Sequence, residues 1–227
     1  MDVGRYSIMR NKNVVLIGNN HFSLLIKKFI QLYADYSVVA FSVNERYKTR
    51  ESLDGIEVVD FEIIEEKYPP DEYDALIAVG YKQMNKIRQN FYQEAKAKGY
   101  KLKNFIHPTS IIETENIGEG NIVLENSLLS INAVVGNCNL IWDNVAVRHD
   151  VCVGSFNQIS GHSSISGFAS IGNNCFLGTN CIIEPEIEIA DFTLIGAGAH
   201  IKAHTDKYGV YVPTKTLKIP GKSIDFF

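Results

Sequence analysis

The stretch from Val153 to Gly178 reads VGSFNQ-ISGHSS-ISGFAS-IGNNCF-LG, and an aliphatic residue opens every block of six. The same period runs outward in both directions. It includes Ile111, Ile117, Val123, Leu129, Val135, Ile141 and Val147 before this stretch, and Ile183, Ile189, Ile195 and Ile201 after it. No position from Ile111 to Ile201 breaks the series, and Phe105 extends it one step back. A period of six fits neither an α-helix nor an alternating strand. It fits a chain that turns a corner every six residues, so that three faces close a triangular coil and successive coils stack as parallel strands. The aliphatic residue then points into the prism.

The position four residues later should also face inward near the corner, and it is small or slim. It reads Ser127, Ala133, Val145, Val151, Ser163, Ala169, Cys175, Cys181, Thr193 and Ala199, with Asn121, Asn139 and Asn157 between them. The position after the aliphatic residue is often small, as at Gly118, Gly136, Gly154, Gly172, Gly178 and Gly196. Glycine there is expected to serve a backbone bend with positive φ. The predicted fold is mixed: a small Rossmann-like α/β domain followed by a left-handed parallel β-helix. The expected organisation is residues 1–103 for the first domain, 104–204 for the β-helix and 205–227 for a C-terminal cap that includes Tyr211-Val212-Pro213 and Ile219-Pro220-Gly221.

The first hundred residues lack the repeat. Strands are expected at 13–18, 37–43, 56–59 and 75–79, and helices at 22–33 and 83–98. Strands alternating with helices imply a small parallel sheet. Ligands of such sheets sit at the carboxyl ends of the strands. That singles out Gly18-Asn19-Asn20-His21, Asn44-Glu45 and Gly80-Tyr81-Lys82 as a binding site. The first of these loops leads into a helix N-terminus suited to a phosphate. It is not a full G-x-G-x-x-G, which argues against a dinucleotide cofactor.

Composition excludes several classes of function. The 227 residues carry a formal net charge of −4, which gives no electrostatic footprint for nucleic acid or an anionic membrane. No apolar run is long enough to span a bilayer. The stretch from Met1 to Asn13 is polar and lacks a signal-peptide core, so a cytoplasmic location is expected. Cys138, Cys152, Cys175 and Cys181 form no CxxC pair, no metal is expected, and Cys175 and Cys181 read as core.

The chain from 105 to 201 resembles the hexapeptide-repeat acyltransferases. With its front domain it is similar to the family of sialic acid O-acetyltransferases and bacillosamine-type sugar N-acetyltransferases. The residues that carry this likeness are Leu16-Ile17-Gly18 with His21, Phe41-Ser42-Val43-Asn44, Ala78-Val79-Gly80-Tyr81, Phe105-Ile106-His107-Pro108 and His149-Asp150. It looks most like enzymes that N-acetylate nucleotide-linked 4-amino-4,6-dideoxysugars, with dTDP-4-amino-4,6-dideoxyglucose as the best guess. The resemblance implies acetyl-CoA as co-substrate, a homotrimer with active sites between subunits, and a place in O-antigen or lipopolysaccharide synthesis. The sequence departs from the family loop G-x-G-G-H, because Asn19-Asn20 replace the glycines. Asn44 stands where many relatives carry Asp.

His149 is the expected general base and Asp150 the group that orients it. The amine is expected to attack the thioester directly, with a backbone N–H near Gly167 holding the oxyanion. Expected contacts of acetyl-CoA are Gln158, His162, Gly167, Gly178, Thr179, Gly196, Ala197 and Lys202. Gln158 takes the place of a second histidine that relatives often carry nine residues after the first. His107 reads as structural, and His200 and His204 lie near the last coil. Two alternatives remain at this point: O-acetylation of a sugar such as sialic acid, and a non-catalytic nucleotide-sugar-binding module. A γ-class carbonic anhydrase would need three converging histidines, and the histidine spacings do not offer them.

Overall fold

The computed structural model describes residues 13–220 and Ile224. The polar N-terminal stretch up to residue 12 and Gly221 of the closing Ile-Pro-Gly lie outside the described residues.

The first domain is a five-stranded sheet. Strands β1 (Val14–Ile17), β2 (Val38–Val43), β3 (Ser52–Leu53), β4 (Ile56–Asp60) and β5 (Asp74–Ile77) lie in the order β3-β4-β2-β1-β5. All neighbours are parallel except the β3–β4 hairpin, which closes one edge. Helices are α1 (His21–Tyr33), the single turn α2 (Ile64–Lys67) and α3 (Lys86–Ala97). The sequence places the start of α3 too early. Gln83, Met84 and Asn85 all have positive φ, which a continuous right-handed helix does not allow.

From Phe105 to Val210 the chain forms a left-handed parallel β-helix of two-residue strands, arranged as three sheets. The first face carries Phe105–Ile106, Ile122–Val123, Leu140–Ile141, Gln158–Ile159, Phe176–Leu177, Leu194–Ile195 and Val210–Tyr211. The second face runs from Ile111–Ile112 through Ala146–Val147 to His200–Ile201. The third carries Val134–Val135, Cys152–Val153, Ser170–Ile171 and Glu188–Ile189. From Ile122 to Ile201 each strand residue pairs with the one eighteen positions away, as Cys152 does with Ser170, whereas Phe105 and Ile111 pair seventeen positions on, with Ile122 and Leu128. Val210–Tyr211 pairs with Leu194–Ile195, so one more rung falls within 205–227.

The predicted inward positions from Val123 to Ile201 are buried and form one continuous core with Ala133, Val145, Val151, Ala169, Cys175, Cys181 and Ala199. Burying each such Val, Leu or Ile contributes about 1.5–3 kcal/mol relative to exposure. The buried asparagines satisfy the corner amides. Asn121 Oδ1 accepts the Asn139 N–H at 2.9 Å, Asn139 Oδ1 accepts Asn157 N–H at 2.8 Å, and Asn157 Oδ1 accepts Cys175 N–H at 2.7 Å.

Two expectations need correction. The six-residue register does not extend back through Ile111 and Phe105. Ile111 pairs with Leu128 and is 58% exposed, whereas Ile112 and Ile106 pack against the prism core. Ile112 and Ile117 are five apart, so the first coil is one residue short and the inward position shifts by one. Phe105 is buried against the α/β domain instead. The repeat glycines are also not at positive φ. A β-carbon on Gly136 would lie 2.7 Å from the Gly154 carbonyl oxygen, and one on Gly154 would lie 2.6 Å from that of Gly172. Their smallness lets coils stack. Positive φ falls two residues later, at every sixth residue from Gly120 to Gly198. Several are asparagine (Asn126, Asn132, Asn144, Asn174, Asn180), which tolerates the left-handed region.

Outward residues of the first face pack on the α/β domain. Phe105, Ile122 and Leu140 join Val14, Leu16, Ile26 and Ile30 in one core. This fixes the front domain against one face of the prism and leaves the opposite edge, between the second and third faces, outside that contact.

Candidate active site

His149 and Asp150 stand at that opposite edge, in the corner between Ala146–Val147 and Cys152–Val153. Asp150 is one of the positive-φ corner residues. Its Oδ2 lies 2.9 Å from His149 Nδ1, and its Oδ1 accepts from Asn132 Nδ2 at 3.1 Å. Hydrogen bonds from His149 and then Asn132 hold the Asp150 carboxyl below the usual aspartate range. An ionised carboxylate only accepts, so Nδ1 carries a ring proton, and in the neutral imidazole Nε2 then presents the lone pair. The His149 side chain is 57% exposed.

Gly167 lies one coil beyond His149. A β-carbon there would stand 2.6 Å from His149 Cε1 and 2.8 Å from Nε2, so glycine makes room for the imidazole. The Gly167 carbonyl accepts the Glu186 N–H at 3.2 Å. Phe168 meets the imidazole edge to face at 5.3 Å between centroids. Lys202 is exposed on the same corner, further along the axis.

The other expected contacts of acetyl-CoA lie elsewhere. His162, Gly178, Thr179, Gly196 and Ala197 line the corner between the first and second faces. His162 faces Asp143, with Nε2 3.7 Å from Oδ2. A β-carbon on Gly178 would come within 2.4 Å of the Ala197 nitrogen, and Gly196 lies under Val212 and Pro213. Coil stacking therefore accounts for Gly178, whereas a β-carbon on Gly196 would stand no nearer than 3.2 Å to any neighbour. His200 pairs with Glu184, and His204 Nδ1 accepts the Glu188 N–H at 3.0 Å. His107 is buried against Tyr33 and bonds Thr109 through Nδ1.

Gln158 projects from the first face into a cleft of about 310 Å³ between the two domains, together with His21, Phe22, Leu25, Gly80, Tyr81, Leu140 and Trp142. Strands β1 and β5 are neighbours, and the chain leaves β1 toward β2 on one side and returns to β5 on the other. The cleft sits at this switch point, where open α/β sheets bind ligands. Its walls are apolar, with Trp142 on Phe22 at 5.6 Å and Tyr81 on Phe176 at 5.1 Å. Trp142 Nε1 is buried without a hydrogen-bond partner among the described residues.

The loops around this cleft are built by local bonds. Gly18 has φ +129°, and a β-carbon would meet Ser23 Oγ at 2.5 Å and the Ala78 oxygen at 2.6 Å. Asn20 caps α1, accepting from the Phe22 and Ser23 N–H groups. The helix N-terminus that the sequence offers to a phosphate thus already holds its own cap. Asn19 donates to the Tyr47 carbonyl at 3.3 Å. Glu62 accepts from Asn44 Nδ2 and from the Glu45 N–H, both at 3.0 Å. Lys82 is exposed beyond Tyr81.

Sequence reasoning missed Asn132, Phe168, Trp142 and Glu62. Asn132 had a usable signal, since it stands eighteen residues before Asp150, directly below it in the stack. Cys138, Cys175 and Cys181 are buried, and Cys152 is exposed on the third face two residues past Asp150. Burial pushes the Cys138 thiol up to about 12 and that of Cys175 to about 11. Among the described residues no three His, Cys, Asp or Glu side chains gather as a metal site, and no helix is long and apolar enough to cross a membrane.

The architecture is that of a hexapeptide-repeat β-helix carrying a small α/β domain in front. A family model for bacterial transferase hexapeptide (six repeats) matches residues 168–203. The chain is similar in structure to the acetyltransferase domain of PglB from Neisseria gonorrhoeae, with 23% identity, a TM-score of 0.78, and coverage of 89% of this chain and 97% of that one. It is similar also to a perosamine N-acetyltransferase from Caulobacter crescentus, solved as a histidine variant with CoA and GDP-perosamine, at 22% identity, TM-score 0.80, and coverage of 88% and 93%. WeeI from Acinetobacter baumannii matches at 18% identity and TM-score 0.78, over 89% and 97% of the two chains. These likenesses establish the two-domain fold.

Proposed function

We propose that this chain moves an acetyl group from acetyl-CoA to the amino group of a nucleotide-linked amino-dideoxysugar. The observation that carries the proposal is the chain Asn132–Asp150–His149 at a prism corner, with Gly167 cleared beneath the imidazole. Asp150 fixes the tautomer, so Nε2 is the basic nitrogen. The sugar amine attacks the thioester carbon and His149 Nε2 accepts its proton; the carbon–sulfur bond then breaks, and the imidazolium returns that proton to the departing sulfur, so that CoA leaves as the thiol. The Gly167 N–H, in the same corner, is the donor we assign to the developing oxyanion. No acyl-enzyme is formed in this route, and the two thiols that burial raises, Cys138 and Cys175, fit it.

The acceptor end is the cleft at the β1/β5 switch point, with His21, Gly80, Tyr81 and Gln158 on its walls. In one chain this cleft and His149 lie on opposite sides of the prism. A homotrimer in which one subunit's corner meets the next subunit's cleft completes the site. The relatives solved with GDP-perosamine support a nucleoside-diphosphate amino sugar as the acceptor class. Within that class dTDP-4-amino-4,6-dideoxyglucose remains the preferred candidate. Acetyl-CoA is placed along the corner from His149 and Gly167 toward Lys202.

Product chemistry tests this reading. The acetylated sugar from a reaction with acetyl-CoA is treated with neutral hydroxylamine, which cleaves esters and leaves amides. A resistant product supports N-acetylation, a labile one establishes O-acetylation, and no acetylated product returns the chain to the class of binding modules.

A further inference from the structure

We infer that Arg88 is a positioning residue for the interdomain cleft: it fastens the Gly80–Tyr81 wall to the prism that forms the cleft's other wall. This inference rests on the reading of that cleft as the acceptor site.

Arg88 lies in the first turn of α3 and is fully buried. A guanidinium has five N–H donors. Here they meet five backbone carbonyl oxygens. Nε donates to Cys138 at 3.0 Å, Nη1 to Val79 and Gly80 at 3.3 Å each, and Nη2 to Phe156 and Asn157 at 2.9 Å each. Two of these carbonyls follow β5 and belong to the cleft loop. The other three belong to the prism corner between the third and first faces, on two successive coils. Asn85 extends the contact to a third coil, donating from Nδ2 to the Cys175 carbonyl at 3.0 Å.

The local cost of this placement is plain. A cation near a helix N-terminus opposes the helix dipole, and burial draws the Arg88 pKa down to about 10. The side chain is still charged at neutral pH, and the carbonyl oxygens compensate it in place of a carboxylate. Lysine has only three donors on a point charge and cannot reproduce the fork. The carbonyl of Gly80 is held while Tyr81, the next residue, rests on Phe176 at 5.1 Å. Gln158 follows the clamped Asn157 directly. Both cleft walls are therefore gripped by one guanidinium, and their spacing is set by it.

The test uses the full chain and two independent readouts. Arg88→Met, Arg88→Lys and Asn85→Ala are compared with wild type by hydrogen exchange without ligand, and by steady-state kinetics with each substrate varied in turn. In Arg88→Met, amides of residues 80–85 are expected to exchange about tenfold faster or more, while those of β1 and the prism strands keep their protection. KM for the amino sugar is expected to rise about tenfold or more, with KM for acetyl-CoA within about twofold of wild type. Arg88→Lys should fall between, and Asn85→Ala should show a smaller change of the same kind. If Arg88→Met does not fold, the other two variants carry the comparison. Unchanged exchange at residues 80–85 in a folded variant overturns the inference whatever the substrate proves to be. Equal rises in both KM values, or exchange that rises throughout the chain, reduce Arg88 to general stability and also overturn it. Loosened exchange in a protein that acetylates no nucleotide sugar contradicts the functional reading and leaves the clamp itself standing.

Discussion

Gly167 and His149 fit together as space and occupant: the place a Gly167 β-carbon would take is 2.6 Å from His149 Cε1 and 2.8 Å from Nε2. A side chain at 167 must displace the imidazole. Gly167→Ala is therefore expected to lower kcat/KM by roughly a hundredfold, since a shift of about 1 Å in a catalytic group costs that much. Far-UV circular dichroism and the thermal midpoint should stay close to wild type, because the corner is exposed and the ring can swing outward. Normal activity in Gly167→Ala would show that the imidazole works from a different position.

Asp150 sets the direction of the pH dependence. Its folded pKa is depressed, so its interaction with His149 is complete above the ordinary aspartate value and is lost only as pH falls through the lower folded value. The pair thus persists throughout the range in which a histidine gains its proton. A general base that must offer a lone pair predicts an acid limb in kcat/KM. Asp150→Asn should reduce kcat by about a hundredfold or more through loss of the tautomer. Its chemical complement, His149→Ala, should abolish the acid limb in whatever activity remains. A limb that survives in His149→Ala belongs to another group and would remove His149 from the role.

The stacking glycines predict a stability effect without chemistry. Gly154→Ala places a β-carbon 2.6 Å from the Gly172 carbonyl oxygen, where both partners are backbone and neither can yield cheaply. A loss of about 1–3 kcal/mol is expected from overpacking, read as a lower urea midpoint. If Gly154→Ala is neutral, the coils have slack that this spacing does not show.

The shortened first coil makes neighbouring isoleucines unequal. Ile112 packs on the prism core, whereas Ile111 is 58% exposed. Ile112→Ala should cost about 2 kcal/mol, toward the low end for buried isoleucine because its site is only partly enclosed, and Ile111→Ala about 0.5 kcal/mol or less. Urea titrations of the two variants decide it, and the opposite order would restore the unbroken six-residue register.

Much of this architecture is written in the repeat. Val123 through Ile201 follow the inward series because every face has the same length and the same neighbour eighteen residues away. The slip between Ile112 and Ile117 was hidden, since two adjacent isoleucines satisfy either register. The glycines were visible but their cause was not: smallness for stacking and freedom for positive φ look alike in sequence, and only the backbone separates Gly154 from the asparagine column. His149 and Asp150 were legible as a pair. Asn132 needed the coil length applied once more. Arg88 gave no signal, because an arginine in the first turn of an amphipathic helix looks like surface until five carbonyl groups close around it. The cleft was half legible, through Gly18, His21, Gly80 and Tyr81. Its other wall, Leu140, Trp142 and Gln158, occupies outward positions of the repeat whose neighbours depend on how the domains pack.

The most direct measurement of the central claim is the rate of free thiol release from acetyl-CoA by wild type and His149→Ala. The acceptor panel holds dTDP-, UDP- and GDP-linked 3- and 4-amino sugars, with free sialic acid beside them. The account predicts rapid release with a nucleotide-linked amino sugar and a loss of about a hundredfold or more in His149→Ala. Release with sialic acid alone, or equal rates in the two proteins, would contradict it.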